Sequence, residues 1–320
     1  MNRHDQMFKD LFRAFFPELV RLADPGLASR LAEDFGLRAI TFLDKEVFHD
    51  LPEGRRREAD LLAEIPSGSG ERKPLVHVEI ERQFRTSISR RLWRYSFQIC
   101  LYYARPVVSI VVFLRGGPPG AQWTVCAEQA FDEEIHRFRF LSLGLSRMPA
   151  EILLDRPEPL AWALASLALP GKLGRARLKL ALQRKIASSR IGEAKKFLLT
   201  NCVETYLQLA GREATEYAAL RAAEPTPEVE AMELTWADRM QAQYEQAGLQ
   251  KGMERGMEKG MEKGIERLRS TLLRQIGQRF GAVSPATRRR IEAISSLDEL
   301  GGFTDRILEV SSIDELGLGS

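Results

Sequence analysis

Two neighbouring segments alternate between apolar and polar residues, which is the pattern of strands that bury one face. In the first, at 58–65, Leu61 and Ala63 fall on the opposite side from Asp60. In the second, at 75–83, the polar side carries His77, Glu79, Glu81 and Gln83. Carboxylates that share a strand face repel one another unless a cation or a hydrogen-bond donor lies beside them. The pattern therefore predicts two strands with an acidic face that needs compensation, which a metal ion would supply.

The flanking pattern predicts an α/β core. Before the two strands, helices are expected at 5–20 and 26–35 and a strand at 39–49, and Pro17 is expected to kink or end the first helix. After them, the pattern predicts a helix at 87–104, with Ser87 as candidate N-cap. Further strands are expected at 107–114, 123–127 and 136–143. The segment 107–114 is continuously apolar and β-branched, which is typical of a central strand buried on both faces. A helix between two such strands joins neighbours in one sheet.

The second half of the chain is helical in pattern. We expect four regions: a core at 1–145, a helical extension at 146–223, a linker and repeat helix at 224–267, and a small helical domain at 268–320. The linker is indicated by the Pro-rich stretch at 224–227. It precedes a repeat in which glycine recurs every fourth residue from Gly248 to Gly264, and from Gly252 onward each glycine is followed by methionine or isoleucine.

This repeat has two interpretations. Each glycine costs about 1 kcal/mol in a helix interior, so the segment could be a frayed linker. Glycines also allow helices to approach closely, and the neighbouring charges suit i,i+4 pairing. The second interpretation predicts a homo-oligomer that forms through the repeat helix.

The charge distribution is more informative than the total. The net charge of +3 over 320 residues does not itself argue for nucleic acid. However, the stretch from Arg82 to Ala127 holds no acidic residue, and it carries Arg82, Arg85, Arg90, Arg91, Arg94, Arg105 and Arg115. A second acid-free stretch runs from Pro159 to Gly192. Clustered cations can neutralise phosphates, although solvated helix faces have the same composition.

Cysteine usage and hydropathy favour an intracellular protein. The three cysteines, Cys100, Cys126 and Cys202, are widely spaced, which argues against a disulfide framework or a zinc site. No apolar run is long enough for a membrane span, and the first residues lack the core of a signal peptide. We therefore expect a bacterial-type cytoplasmic location and no membrane partner.

The acidic residues of the two strands are the candidate site. Asp60 and Glu81 on adjacent strands could hold Mg²⁺ through oxygen ligands, leaving positions for water and a phosphodiester. By strand parity Gln83 lies on the face of Glu81, where it could hydrogen-bond water or a phosphate oxygen but not supply positive charge. Glu79 lies on the same face and is the rival metal ligand.

Four short motifs in order resemble landmarks of the Rpn-type recombination-promoting nucleases. These proteins are also called putative transposases and belong to the PD-(D/E)XK nuclease superfamily. The motifs are HDQMFK at 4–9, DLL at 60–62, ERQ at 81–83 and RLWRY at 91–95. A looser resemblance, LRQIGQRFG at 273–281, is to an uncharacterised domain often attached to such proteins.

The resemblance implies a restriction-endonuclease-like core with a helical C-terminal extension, acting as a DNA endonuclease with Mg²⁺, or Mn²⁺ in its place. Asp60 and Glu81 would be metal ligands, with Gln83 in the position of the superfamily's lysine. It also implies a supporting role for Asp5, and that Arg91 and Tyr95, one helical turn apart, face the site or the phosphates. The DNA-binding candidates are Arg82, Arg85, Arg91 and Arg94. The basic residues after Gln83 depart from the family pattern.

A second function class remains open from the sequence. A catalytically inactive DNA-binding or assembly protein would use the arginine-rich helix and the repeat without cutting DNA. Metal binding separates the two classes, because an inactive scaffold does not need the metal. A third alternative is a purely structural oligomer.

Overall fold

The computed structural model describes residues 3–32, 40–43, 60–64 and 74–318. Contacts divide the chain into two compact units, Met1–Ala237 and Asp238–Ser320. The first unit is an α/β fold built on a mixed sheet, which confirms the predicted α/β class. Within the described residues, no helix is both long and apolar enough to cross a membrane.

The described part of the sheet has six strands in the order β1-β2-β3-β4-β6-β5. Their bounds are β1 Thr41–Phe42, β2 Leu61–Glu64, β3 Leu75–Glu81, β4 Val107–Phe113, β5 Gly120–Ala130 and β6 Glu133–Gly144. β1, β2 and β3 are antiparallel neighbours, whereas β3, β4 and β6 run parallel, and β5 is antiparallel to β6. The predicted order of helix, three strands, helix and strand is therefore present.

The helix α4, Ile88–Tyr103, connects β3 to β4 and covers one face of the sheet. Its buried residues Ile88 and Leu92 pack against Val111 and Phe113 of β4. It ends where Ala104 adopts a left-handed conformation, two residues before Pro106. Ser87 stands at its N-cap position as predicted, but its side chain makes no capping hydrogen bond.

The other face of the sheet is covered by helices from both ends of unit 1. These are α1 Arg3–Ala14, α2 Phe16–Ala23, α3 Pro25–Ala32, α5 Ala150–Leu154, α6 Pro159–Ala165, α7 Gly174–Ser188 and α8 Glu193–Tyr206. One hydrophobic core joins them to β2, β3, β4 and β6. The next helix, α9 Arg212–Ala223, has no buried residue and packs against α7 outside this core. Most of the segment 146–223 thus shares the core of the sheet.

Some predicted boundaries change in the structure. The helix predicted at 5–20 is two helices, because the chain breaks at Phe15, and Pro17 lies in the first turn of α2, where a missing N–H costs little. The predicted strand 75–83 ends at Glu81. The strands predicted at 123–127 and 136–143 are longer, as β5 and β6. Residue 39 and residues 44–49 of the strand predicted at 39–49 lie outside the described residues. The same is true of residues 58, 59 and 65 of the strand predicted at 58–65.

The C-terminal unit has its own small core. The helix α10 spans Pro227–Phe280 and contains the whole glycine repeat, so the repeat is helical rather than a break in the helix. Two further helices follow, α11 Pro285–Ala293 and α12 Leu297–Arg306. Ser284 and Ser296 cap them by accepting hydrogen bonds from Thr287 N and Glu299 N. Their shared core is formed by Leu272, Ile276, Ile291, Leu300, Ile307, Leu316 and Leu318.

Candidate active site

Asp60 is held against the backbone of β3. In the antiparallel pair of β2 and β3, Leu61 lies opposite Val78 and Leu62 opposite His77. Continuing that register by one residue places Asp60 level with Glu79. The Asp60 Oδ2 atom accepts a hydrogen bond from the backbone N–H of Ile80 at 2.8 Å. Asp60 is therefore positioned between the two glutamates that flank Ile80 along the strand.

The polar face of β3 is buried rather than solvated. The His77 side chain is fully buried and Glu79 is 5% exposed. His77 Nε2 lies 3.0 Å from Glu79 Oε1, and its Nδ1 lies 3.4 Å from Ser109 Oγ on β4. The hydrogen bond between Nε2 and Oε1 joins the two side chains along the polar face of β3. The ring of Tyr95 on α4 meets His77 edge-on, with 6.2 Å between centroids.

A single arginine from α4 bridges the two glutamates of β3. The Arg91 guanidinium forms an ion pair with Glu81, and its Nη2 also lies 3.9 Å from Glu79 Oε2. The side chain of Glu81 is 15% exposed and that of Arg91 38% exposed. Arg91 and Tyr95, which were expected to face the site or the phosphates, both contact residues of the polar face of β3. The guanidinium supplies the positive charge that the acidic face requires.

Lys9 on α1 is a site residue that the sequence analysis missed. Its Nζ atom lies 3.0 Å from Asp60 Oδ1, and its side chain is only 9% exposed. The motif at 4–9 included Lys9, but no role was assigned to it. A sequence signal does exist, because Lys9 lies beside Phe8 and one turn before Phe12, which are both buried. A lysine at the margin of an apolar stripe must bring its charge to a partner.

The position predicted for Gln83 needs correction. That prediction extended strand parity to residue 83, but the ladder ends at Glu81, whose carbonyl accepts from Leu114 N at 2.9 Å. The chain then bends, and Phe84 N donates to Arg115 O at 3.0 Å. Beyond the ladder, parity no longer assigns a face. Gln83 is exposed and lines a cavity together with Arg82.

The remaining predicted residues lie around this cluster. Arg82, Arg85 and Arg94 are exposed. Arg94 lies in a pocket between α4 and the β5–β6 pair that also contains Trp93 and His136. Asp5 lies in α1, but its side chain is outside the part of the chain that the structure describes.

The donor chemistry of the cluster suits a hard divalent cation, although its present partners are the chain's own cations. Asp60, Glu79 and Glu81 offer carboxylate oxygens, the ligands that Mg²⁺ prefers. Among the side chains that are described, no three of His, Cys, Asp or Glu are arranged to hold a metal ion. Arg91 lies between the two glutamates, and a metal would compete with it for both. The arrangement pairs Asp60 with Lys9, and Glu79 and Glu81 with Arg91, near the end of β3.

Comparison with known proteins finds no relative. No family model matches the chain, and searches of curated proteins and of solved structures find no match.

Proposed function

We propose that the protein is a Mg²⁺-dependent DNA endonuclease with a PD-(D/E)XK-like core, acting in recombination or on mobile elements. The observation that carries the proposal is the cluster of Asp60, Glu79 and Glu81 at the junction of β2 and β3, with Lys9 and Arg91 bonded to it. The motif resemblance and the order of helix, three strands, helix and strand add to its support.

In this proposal Asp60 and Glu81 hold the metal, with Glu79 beside them. A bound Mg²⁺ supplies an activated water and neutralises charge on the phosphoryl oxygens. Glu81 is favoured over Glu79 because it is the more exposed of the two and ends the strand, whereas Glu79 is also bonded to His77. His77 orients Glu79 and, through it, the polar face of the strand.

Lys9 and Arg91 supply the positive charge that the neutral side chain of Gln83 cannot supply. The Lys9 ammonium lies next to Asp60 and brings the positive charge that a glutamine in the lysine position lacks. Arg91, partly exposed on α4, can leave the glutamates and hydrogen-bond phosphate oxygens with its planar fork of donors. The exposed residues Arg82, Arg85 and Arg94 extend the positive surface on which DNA is bound.

The test is cleavage of supercoiled plasmid by the full chain with Mg²⁺, with Mn²⁺ and with EDTA. We expect metal-dependent cutting that Asp60→Asn, Glu81→Gln and Lys9→Met each abolish or reduce by orders of magnitude. The matched control is Glu64→Gln, because Glu64 lies on the same sheet and also pairs with an arginine, Arg105, yet is outside the cluster. Cleavage that survives in Asp60→Asn would exclude this site.

The Lys9 variants also report on the ion pair itself. Lys9→Met leaves a largely buried Asp60 with one fewer partner, which we expect to cost about 1.5–3 kcal/mol of unfolding free energy. Lys9→Arg keeps the charge and should recover much of that stability in a urea titration. Loss of cleavage in Lys9→Met at temperatures where it remains folded separates a functional role from a structural one.

A catalytically inactive DNA-binding or assembly protein is the second candidate. It is favoured by the fact that Lys9, Arg91 and His77 already compensate the carboxylates without a metal. Titration calorimetry with Mn²⁺ discriminates the two. If the protein is a nuclease, it must bind Mn²⁺, and Asp60→Asn must remove that binding. If it is the inactive protein, we expect salt-sensitive DNA binding and no heat of Mn²⁺ binding.

Both candidates include self-association through α10, and a stripe of exposed apolar side chains supports it. Leu249, Met253, Met257 and Met261 recur every fourth residue, and all are at least 59% exposed. Beside them, a methyl group added at Gly248, Gly252, Gly256 or Gly260 would meet nothing within 4 Å among the described residues, apart from the helix's own backbone and the adjacent residues. Such a surface fits close packing against a second copy of the helix.

A further inference from the structure

A cavity of about 510 Å³ opens beside the carboxyl ends of β3 and β4. Three arginines line it, Arg82, Arg115 and Arg175, together with the polar side chains of Gln83, Thr205 and Tyr206. The carboxyl ends of parallel strands are a common location for ligand crevices in open α/β sheets. Its size lies within the range of about 300–1,000 Å³ that small-ligand sites occupy.

The cavity carries surplus positive charge. No carboxylate is among its lining residues. Of the three arginines, Arg175 is held by Glu213 at 3.1 Å and by the Gln208 carbonyl at 2.7 Å. Within the described residues, Arg82 and Arg115 have no ion-pair partner. A cavity with uncompensated guanidinium groups attracts an anion that offers several acceptor oxygens.

The loop that carries Arg115 is fixed before any ligand arrives. The Arg115 carbonyl accepts from Phe84 N at 3.0 Å, and the next residue, Gly116, donates its N–H to Ser146 Oγ at 2.8 Å. Gly144 lets the loop pack closely, because a Cβ there would lie 1.9 Å from the Pro118 carbonyl oxygen. The backbone at Arg115 is thus preorganised, which lowers the entropic cost of binding.

Two lining residues connect the cavity to elements of the carboxylate cluster. Arg82 directly follows Glu81 in the chain. Tyr206 packs its ring against Phe8, with centroids 5.4 Å apart, and Phe8 precedes Lys9 on α1. A polyanion held at Glu81 would therefore lie next to Arg82, which begins the cavity lining.

We propose that this cavity binds backbone phosphates of a nucleic-acid strand next to the phosphodiester held at the carboxylate cluster. The inference rests on the proposed nuclease function and assigns Arg82 and Arg115 as phosphate ligands, with Arg175 as a fixed positive wall. It adds Arg115 and Arg175 to the predicted DNA-binding residues. It also gives Gln83 a place as a neutral donor to the same phosphates.

The test is binding of a fluorescein-labelled DNA duplex to the full chain in EDTA, followed by anisotropy over a range of KCl concentrations. We expect Arg82→Gln and Arg115→Gln each to weaken binding severalfold and to reduce the slope of log K against log salt by about 1. Arg21→Gln is the matched control, since Arg21 is an exposed arginine of unit 1 outside the cavity and outside both acid-free stretches, and it should leave both quantities unchanged. Thermal melts check that every variant is folded.

Three results decide the matter. If both cavity variants bind DNA with wild-type affinity and salt slope, the proposal is overturned. If pyrophosphate binds the wild type and not Arg115→Gln while DNA affinity is equal in both, the ligand is a small phosphate compound and the nucleic-acid assignment fails. If the cavity variants lose DNA affinity but the wild type cuts no plasmid with any metal, the cavity assignment stands and the nuclease function falls.

Discussion

At the scale of residues, the first unit compensates buried carboxylates with cations from distant parts of the chain. Asp60 takes Lys9 from α1, and Glu81 takes Arg91 from α4. Removing one member of such a pair leaves the other in a poorly solvated place, which costs more than the pair contributes. The ion pairs of the cluster therefore connect α1 and α4 to the same end of the β2–β3 pair.

A partly buried carboxylate, Glu18 on α2, gives a prediction for pH. Its Oε2 accepts from Leu160 N at 2.8 Å at the start of α6, but burial outweighs this bond and raises the pKa of the carboxyl above its ordinary value. A raised folded-state pKa gives stability that is complete below the unfolded pKa and is lost as pH rises through the folded pKa. We expect Glu18→Gln, which keeps an acceptor oxygen, to be more stable than the wild type near neutral pH.

The measurement is a urea titration of Glu18→Gln and the wild type between acid and neutral pH. The advantage of the variant should shrink towards low pH, because the wild-type carboxyl is then protonated and also neutral. Glu193→Gln, at an exposed glutamate, serves as the control and should change little at any pH. A loss of stability in Glu18→Gln that grows as the pH rises would instead show that the charge at this position is favourable.

At the scale of elements, the sequence predicted most of the site's scaffold but not its closing contacts. Alternation located β3, and the apolar run located β4, because periodicity depends only on local burial. Parity also placed Glu79 and Glu81 correctly on one face. The pairing of Lys9 with Asp60 could not be read this way, since 51 residues separate them and only the packing of α1 on the sheet brings them together.

The error at Gln83 has the same physical origin. Side-chain alternation holds only while the ladder of hydrogen bonds continues, and nothing in the local pattern shows that it stops at Glu81. The break in the first predicted helix was expected at Pro17 and lies two residues earlier, at Phe15, since the apolar stripe continues across it. Tertiary contacts decide where such elements end, which is why their boundaries are the least predictable part of a fold.

The repeat in α10 gives a prediction about association. If Met253, Met257 and Met261 form the contact with a second copy, a charge within the stripe must be desolvated on association. We expect Met257→Glu to lower the self-association constant by at least tenfold, measured by analytical ultracentrifugation over a concentration series. Gln246→Glu adds the same charge on the same helix outside the methionine stripe, with uncharged residues at i−4 and i+4, and should have little effect. Identical sedimentation of both variants and the wild type would exclude the stripe as the interface.

At the scale of the whole molecule, the position of the unit boundary matters more than the linker signal. The proline-rich stretch at 224–227 separates α9 from α10, as the sequence indicated. However, the first residues of α10 still belong to unit 1, whose boundary lies at Ala237. Val229 and Met232 are buried in the main core. Unit 1 therefore does not end at the proline-rich stretch 224–227 but includes the first turns of α10.

This arrangement predicts a difference between two truncations. Residues 1–237 keep Val229 and Met232, and also Glu233, which accepts from Gln183 Nε2 at 2.8 Å and from the Tyr217 hydroxyl at 3.0 Å. Residues 1–223 lose all three. Since burying one large apolar side chain contributes about 1.5–3 kcal/mol, the shorter fragment should be less stable by several kcal/mol and lose its cooperative unfolding transition first.

Urea unfolding followed by circular dichroism makes the comparison. The fragment 1–237 should unfold cooperatively and, because it lacks the methionine stripe, sediment as a monomer at every concentration. Equal stability of the two fragments would mean that the first turns of α10 contribute nothing to unit 1. A fragment 1–237 that still self-associates would instead move the oligomer contact from the repeat to unit 1, where the exposed residues Phe97 and Leu101 of α4 offer another apolar surface. The two measurements together therefore test separately what α10 contributes to folding and what it contributes to assembly.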